Sequence, residues 1–175
     1  MVKTVCYRVE QFLRALTAEQ AISEQRFGHA AKTLPQRARA LFVRQTLGDQ
    51  RHALAVYERL LQQGHTRGDL LAAALLHDVG KAAAQLSTWE RGLLVLAERF
   101  APRAVESAVG GPAQRWRARL VAYAQHAEIG ARWAEDAGCS ALTAELIRRH
   151  ERRPRTPETE EDRLLAALQA ADSLN

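Results

Sequence analysis

The sequence has few of the features that define disulfide-rich, redox-active or membrane-spanning proteins. Its two cysteines, Cys6 and Cys139, fit no spacing typical of zinc or redox sites, so inert thiols are expected. The longest uncharged apolar segments, such as 70–76, are far too short to cross a bilayer. Charged residues interrupt the beginning of the chain too soon for a signal peptide. We therefore expect a soluble, cytoplasmic protein with no membrane partner.

Signals for β-strands are also scarce. Aromatic residues make up 6% of the chain, and alanine, leucine, glutamate, glutamine and arginine, all good helix formers, dominate it. The apolar content of 47% excludes a disordered chain, and 175 residues are enough for one domain with a sizeable core. The sequence predicts an all-α protein: a single helical bundle over residues 49–175, preceded by a short helical extension over residues 1–48.

Capping residues and glycines divide the chain into helices. In the extension, residues 4–16 and 36–46 are expected to be helical. The bundle is expected to contain a helix from Asp49, as N-cap, to Gln63, and a second one capped by Asp69 that carries His77 and Asp78 near its end. One or two further helices follow over 87–109, then a long one over 113–137, one capped by Ser140, an exposed loop over 152–160, and a final helix ending near Asp172.

The dipeptide His77-Asp78 is the most informative feature. It closes the run 70–76, which is so apolar that a helix through it must be buried on nearly all sides. An ionised carboxylate at such a position is strongly unfavourable unless a positive group neutralises it, and a bound cation would do so. Helical periodicity turns His52, His126 and His150 toward the core as well, and it places Asp172 on the apolar side of the last helix.

Any one of these histidines, taken alone, could be an ordinary core residue. Four inward-facing histidines with two aspartates near helix ends favour a metal centre instead. The ligand types suit one or two divalent ions (Fe, Mn, Co, Ni, Zn or Mg), and the sequence does not choose among them. His29 and His65 lie in irregular segments and are expected at the surface.

Together, His52, His77-Asp78 with Val79-Gly80-Lys81, and Asp172 resemble the HD-domain superfamily of metal-dependent phosphohydrolases. His126 and Arg149-His150-Glu151 extend the resemblance toward the two-metal branch typified by HD-GYP phosphodiesterases. The resemblance implies one metal held by His52, His77, Asp78 and Asp172, and a second held by Asp78, His126 and His150. Asp78 would then bridge the two ions and be central to catalysis. A mononuclear site, with His126 and His150 on the substrate, would need the same residue types.

The implied reaction is hydrolysis of a phosphomonoester or phosphodiester, including those of nucleotides, by metal-activated water. By the same resemblance, Lys81 is expected to offset charge on the substrate phosphate. The preceding glycine, Gly80, favours this role because it lets the main chain and the lysine side chain turn toward the cleft. Lys81 could instead be a helix-end lysine that interacts with the helix dipole. Glu151 could hold a ligand in place or be an exposed helix-end residue.

The sequence departs from the HD-GYP pattern after His150. It has no Asp-Gly…Gly-Tyr-Pro segment there, and Arg152, Arg153 and Arg155 occupy the loop, so a small, highly charged phosphate is expected rather than a cyclic dinucleotide. Arginine clusters, including 115–119 and 148–153, could steer such a substrate or simply be solvated helix faces. A non-catalytic HD-fold signalling module is the main alternative. With a net charge of only +5, a nucleic-acid-binding protein is less well supported.

Overall fold

The computed structural model describes residues 24–84, 114–152 and 156–174, and within them only the main chain of residues 24, 25 and 114–117. The described residues form α-helices and one 3₁₀ helix, with no strand among them, which confirms the all-α prediction. The α-helices are α1 (Glu24–Ala31), α2 (Gln36–Arg44), α3 (Leu47–Gln62), α4 (Gly68–Leu76), α5 (Gln114–Ala124), α6 (His126–Asp136), α7 (Ala141–Arg149) and α8 (Glu160–Ser173). The 3₁₀ helix, Val79–Ala84, begins after His77 and Asp78, the two residues that follow α4.

Helix α4 is the centre of the bundle. All of its residues from Leu70 to Leu76 are buried, as the apolar run predicted. Helices α2, α3, α7 and α8 pack around it, and α6 packs on both α7 and the 3₁₀ helix. Because α4 is surrounded, the residues that follow its carboxyl end lie in the interior of the bundle, where residues from several other helices can contact them.

Helices α1 and α2 contribute to the same core as the rest of the described chain. Phe27 stacks on Phe42 with ring centroids 5.4 Å apart, and Phe42 belongs to the hydrophobic cluster that contains Leu75 of α4. The proposed helices over 4–16 and 87–109 lie outside the described residues. No helix in the described ranges is long and apolar enough to cross a membrane.

Two of the expected N-caps are wrong. Thr46, not Asp49, caps α3: its hydroxyl accepts a hydrogen bond from the Asp49 main-chain N–H at 3.2 Å. Asp69 lies inside α4 after the N-cap Arg67, and its carboxylate accepts a 2.5 Å hydrogen bond from the Ser140 hydroxyl. The Asp69 carboxylate, which the sequence predicted to cap its own helix, therefore makes a tertiary hydrogen bond to Ser140 instead.

Other expected boundaries are confirmed. Ser140 caps α7 by accepting a hydrogen bond from the Thr143 N–H, and Gly64 and Gly138 adopt the positive φ angles that end helices α3 and α6. Thr159 begins α8 with a capping box to Asp162. Of the expected loop 152–160, residues 153–155 lie outside the described chain and 156–159 precede the helix.

The prediction of one long helix over 113–137 is wrong in one respect. The segment divides at Gln125 into α5 and α6, so that His126 becomes the first residue of α6. Neither proline nor glycine marks this break in the sequence. The division comes immediately before a candidate ligand, and both α5 and α6 pack against the 3₁₀ helix.

Candidate metal centre

The six candidate ligands come from five different α-helices or their ends. His52 lies in the first turns of α3, His77 and Asp78 follow the last residue of α4, and His126 begins α6. His150 follows the last residue of α7, and Asp172 lies in the last turn of α8. The structure gathers their donor atoms into two groups, and within each group the atoms lie within 4.8 Å of one another: His52, His77 and Asp172 in the first group, and Asp78, His126 and His150 in the second.

Three of the histidines share one geometry. Nδ1 of each ring bonds the carbonyl oxygen of the residue three positions earlier: Ala74 for His77 (2.9 Å), Tyr123 for His126 (2.8 Å) and Ile147 for His150 (2.7 Å). Because a carbonyl oxygen only accepts, Nδ1 must carry the proton, which leaves the lone pair of a neutral ring on Nε2. This arrangement, with one ring nitrogen fixed by a carbonyl and the other directed inward, is typical of histidines that bind metals.

Asp78 lies between the two groups, and its side chain is only 7% exposed. Its Oδ1 is 3.4 Å from Nε2 of His126 and 3.6 Å from Nε2 of His150. Its Oδ2 faces the other way and lies 3.6 Å from Nε2 of His77. The two carboxylate oxygens therefore face different groups of imidazoles.

The first group is more open than the second. Nε2 of His52 lies 2.8 Å from Oδ1 of Asp172, and Nε2 of His77 lies 3.5 Å from the same oxygen. The side chains of His52 and Asp172 are about a third exposed, whereas those of His126 and His150 are almost completely buried. Solvent therefore reaches the cluster from the side of His52 and Asp172.

Electrostatics favours ionised carboxylates in both groups. Burial alone would raise the pKa of the Asp78 carboxyl, but the charge on His77 and the other surrounding basic groups hold it well below its ordinary value. For Asp172, the opposing effect of burial is likewise overcome, and the hydrogen bond with His52 lowers the pKa. Burial would lower the pKa of His77, yet the neighbouring Asp78 and Asp172 raise it. Two anionic carboxylates beside imidazoles form a donor set suited to a divalent cation.

Two buried atoms in the cluster have room for a bound cation as a partner. Nε2 of His77 and Nε2 of His126 are both inaccessible to solvent and have no hydrogen-bond partner. A buried polar atom without a partner is costly, and such atoms are uncommon in folded proteins. Nε2 of His77 faces the carboxylates of Asp78 and Asp172, and Nε2 of His126 faces that of Asp78, so divalent ions bound at these carboxylates would satisfy both atoms. The His/Asp cluster could therefore hold a metal ion.

Lys81 lies beside the cluster rather than free in the cleft. Its Nζ donates a 2.6 Å hydrogen bond to Oδ2 of Asp78. Burial would lower the pKa of the ammonium, but the Asp78 carboxylate raises it above the ordinary lysine value. The amine therefore stays protonated and contributes a fixed positive charge next to the ligands.

Gly80 has a different role from the expected one. It is not among the glycines with positive φ in the described chain, so it does not provide a special turn. Instead, a β-carbon at Gly80 would overlap the carbonyl oxygen of His126 and lie 2.8 Å from the Gly130 nitrogen. Glycine is needed here because the 3₁₀ helix and α6 pack through their main chains.

The arginines and the two remaining histidines divide into different environments. Arg148 pairs with Glu128, Glu135 and Glu145, and Arg149 pairs with Glu161 and Asp162. These ion pairs join helices α6, α7 and α8, so both guanidinium groups are engaged by carboxylates and neither lies on a simply solvated helix face. His29 is exposed, as expected, but it lies within helix α1 and not in an irregular segment, so that part of the expectation is wrong. His65 is half-buried, and neither histidine belongs to the two groups of ligands. Arg153 and Arg155 lie outside the described residues.

Two residues near the cluster complete the site. Oε1 of Glu151, whose side chain is 56% exposed, lies 3.7 Å from Nε2 of His126. Gln169 of α8, which the sequence reasoning missed, hydrogen-bonds the main chain around His150. Its position three residues before Asp172 was the available signal, since residues with this spacing share a helix face.

Comparison of the chain with protein-family models, with curated proteins and with solved structures finds no match. What can be concluded about function therefore rests on the chemistry of the His/Asp cluster.

Proposed function

We propose that this protein is a metal-dependent phosphohydrolase of the HD type, acting on a small phosphomonoester or phosphodiester such as that of a nucleotide. The observation that carries the proposal is the arrangement of His77, His126 and His150 around Asp78. Each ring is held by a main-chain carbonyl through Nδ1, and each has its Nε2 within 3.6 Å of the buried Asp78 carboxylate. Nε2 of His77 also lies 3.5 Å from Asp172, so it faces both carboxylates.

The orientation of Asp78 supports a site for two ions. Its Oδ1 faces His126 and His150, and its Oδ2 faces His77, so each oxygen could bind a different cation. The first group would hold its ion with His52, His77 and Asp172. When bound, divalent ions in such a pair would activate a water molecule and neutralise charge on the phosphoryl oxygens.

The residues of the chain supply positioning and charge around the ions. The carbonyl-anchored histidines fix the directions of the nitrogen lone pairs, so the donor atoms need little reorganisation when an ion binds. Lys81 remains charged and lies next to Asp78, where an ammonium could stabilise negative charge that develops on a phosphate. Substrate would approach from the side of His52 and Asp172, the more exposed of the ligands.

The choice of substrate class rests on the chain around His150. Because Arg148 and Arg149 are held by carboxylates of neighbouring helices, they are not free to bind a substrate. Arg152 is exposed directly after Glu151, and the Gly-Tyr-Pro segment of the cyclic dinucleotide phosphodiesterases is missing from the sequence. A compact phosphate ester fits this surface better than a bulky cyclic diester.

The test is phosphate release from a panel of nucleotides, sugar phosphates and cyclic dinucleotides, with protein loaded with Mn²⁺, Co²⁺, Fe²⁺, Ni²⁺, Zn²⁺ or Mg²⁺. We expect hydrolysis of a small phosphate ester that depends on the metal and is lost in Asp78→Asn. Metal binding without hydrolysis of any ester would favour the non-catalytic module. Failure to bind any of these ions would contradict the proposal altogether.

A further inference from the structure

We propose that Gln169 is a positioning residue that sets the affinity of the second group of ligands for its metal ion. The inference rests on the proposed metal centre and concerns a residue that contacts no donor atom of that centre. Gln169 would act by fixing the main chain of the turn that carries His150 and Glu151.

The side-chain amide of Gln169 meets three main-chain carbonyls at the end of α7. Its Nε2 lies 3.0 Å from the oxygen of His150, 2.7 Å from that of Arg152 and 3.5 Å from that of Arg149. Three oxygen acceptors around one atom identify that atom as the amide nitrogen, because an amide oxygen there would be repelled. Carbonyls at the end of a helix have no partner within the helix. The Arg149 carbonyl accepts a 2.9 Å hydrogen bond from the Arg152 N–H, and the Gln169 amide supplies a donor to the carbonyls of His150 and Arg152.

The turn that Gln169 holds determines the position of His150. His150 follows the last residue of α7, and its own N–H makes only a long 3.4 Å hydrogen bond to the Ile147 carbonyl. Both the N–H and the ring Nδ1 of His150 bond the Ile147 carbonyl of α7, so a shift of the turn would weaken this attachment and carry Nε2 away from Asp78. An anchored main chain therefore determines whether the second group closes around an ion.

Glu151 depends on the same anchor. It lies between His150 and Arg152, the two residues whose carbonyls make the shorter bonds to Gln169. Its carboxylate is 3.7 Å from Nε2 of His126, a second ligand of the same group. Release of the turn would thus disturb the His150 imidazole and the Glu151 carboxylate at the second ion. It would leave His52 and Asp172 in place.

Gln169 is also distinct from the other connection between α7 and α8. Arg149 bonds Glu161 and Asp162 near the beginning of α8, whereas Gln169 is one turn before Asp172 near its end. The arginine holds the two helices together, and the glutamine fixes the turn. Loss of the glutamine should therefore affect metal binding more than stability.

The experiment is a Co²⁺ titration of the full chain. Calorimetry measures the affinities, and the visible absorption of the bound ion reports its ligand environment. Gln169→Met keeps the length of the side chain and removes its N–H donors. We expect the affinity for the second Co²⁺ to fall by about 10-fold to 100-fold, the usual effect of losing a group that orients a ligand, while the first is unchanged. Gln62→Met, at the exposed end of α3, is the matched control and should bind both ions like the original protein.

The outcomes separate this inference from the proposed function. If the original protein binds two Co²⁺ ions and Gln169→Met binds both with the same affinities and spectra, the positioning role is wrong and the metal centre stands. If the original protein binds neither Co²⁺ nor any of the other five ions of the panel, both are wrong. Should Gln169→Met fail to fold, Gln169→Leu, another good helix former without donors, takes its place with the same expected loss. An equal loss of both ions would also overturn the inference, because a general structural role would affect both groups.

Discussion

Gly80 and His126 meet through their main chains, and a β-carbon at Gly80 would overlap the carbonyl oxygen of His126. Gly130, one turn further along α6, is also close: a β-carbon there would lie 3.2 Å from the nitrogen of Gly80. The contact joins the segment after His77 and Asp78 to the helix that begins with His126. The distance between the two ligand-bearing segments therefore depends on the absence of a side chain at Gly80.

Gly80→Ala should disrupt both the fold and the metal centre. The obstacle to the new methyl group is main chain, which cannot rotate away, so we expect a loss in the free energy of unfolding of about 1–3 kcal/mol or more. We also expect reduced metal content, because Asp78 and His126 would be pushed apart. Chemical denaturation and elemental analysis would measure the two effects.

Gly28→Ala is the control for that substitution. Gly28 lies within α1, and a β-carbon there would meet no heavy atom within 4 Å. Alanine should therefore stabilise the protein by up to about 1 kcal/mol through helix propensity. A Gly80→Ala protein that matched Gly28→Ala in stability and metal content would show that the close contact has no such role.

Replacement of the ligands should distinguish the shared residue from one that serves a single ion. Asp78→Ala removes the carboxylate that faces both groups and should lose most of the metal, whereas His150→Ala should lose only the ion of the second group. His29→Ala, an exposed histidine of α1, is the matched control and should retain the full metal content. Equal metal loss in Asp78→Ala and His150→Ala would contradict the idea that Asp78 is shared.

Lys81→Met should affect the metal-free protein and catalysis in different ways. In the metal-free protein it leaves the buried Asp78 carboxylate without its closest cation, so we expect a loss of about 1–3 kcal/mol in stability. A bound ion on Asp78 should replace the lysine charge and restore most of that loss. Hydrolysis by the metal-loaded variant should still fall by about 100-fold or more, the scale of losing one charge that stabilises the transition state.

Thermal unfolding with and without metal, together with phosphate release, would test this. Unchanged hydrolysis in metal-loaded Lys81→Met would reduce Lys81 to a structural partner of Asp78. Equal stability losses with and without metal would instead indicate that an ion and the lysine do not compensate for each other.

The core positions of the ligands could be predicted from the sequence because they follow local periodicity. His77, His126 and His150 each continue an apolar helix face, and each is buried in the structure. The apolar run before His77 was sufficient to place that residue at the centre of the bundle, since all seven residues from Leu70 to Leu76 are buried.

The errors at Asp69 and Gly80 arose where a tertiary contact decided the outcome, and the error at Asp49 arose from a local choice between two capping residues. Asp69 is a good capping residue, but Ser140, distant in the sequence, bonds its carboxylate. Thr46 and Asp49 are both capping types in one turn, and the hydrogen bond from Asp49 to Thr46 settled the N-cap. Glycine is required at position 80 because the main chain of α6, more than 40 residues further along the sequence, packs against it, and no local sequence pattern indicates such a contact.

The acid stability of the protein should depend on Asp162. The Arg149 guanidinium, together with hydrogen bonds from Thr159, lowers the pKa of the Asp162 carboxyl from 3.8 to about 2. A carboxyl whose pKa is lower in the folded protein stabilises the fold above its unfolded pKa, and this contribution is lost as the pH falls toward the folded pKa. The original protein should therefore lose part of its stability between about pH 4 and pH 2 through this residue.

Asp162→Asn should flatten the pH dependence in that window, because asparagine does not titrate and can still accept the hydrogen bonds of the cap. Urea midpoints measured at intervals from neutral pH to pH 2 would give the slope. Arg149→Met removes the largest cause of the shift and should flatten the same part of the curve while Asp162 is still present. The double variant should be no flatter than Asp162→Asn alone, since both changes act on one carboxylate. Equal slopes for Asp162→Asn and the original protein below about pH 4 would show that the ion pair between α7 and α8 does not contribute to acid stability.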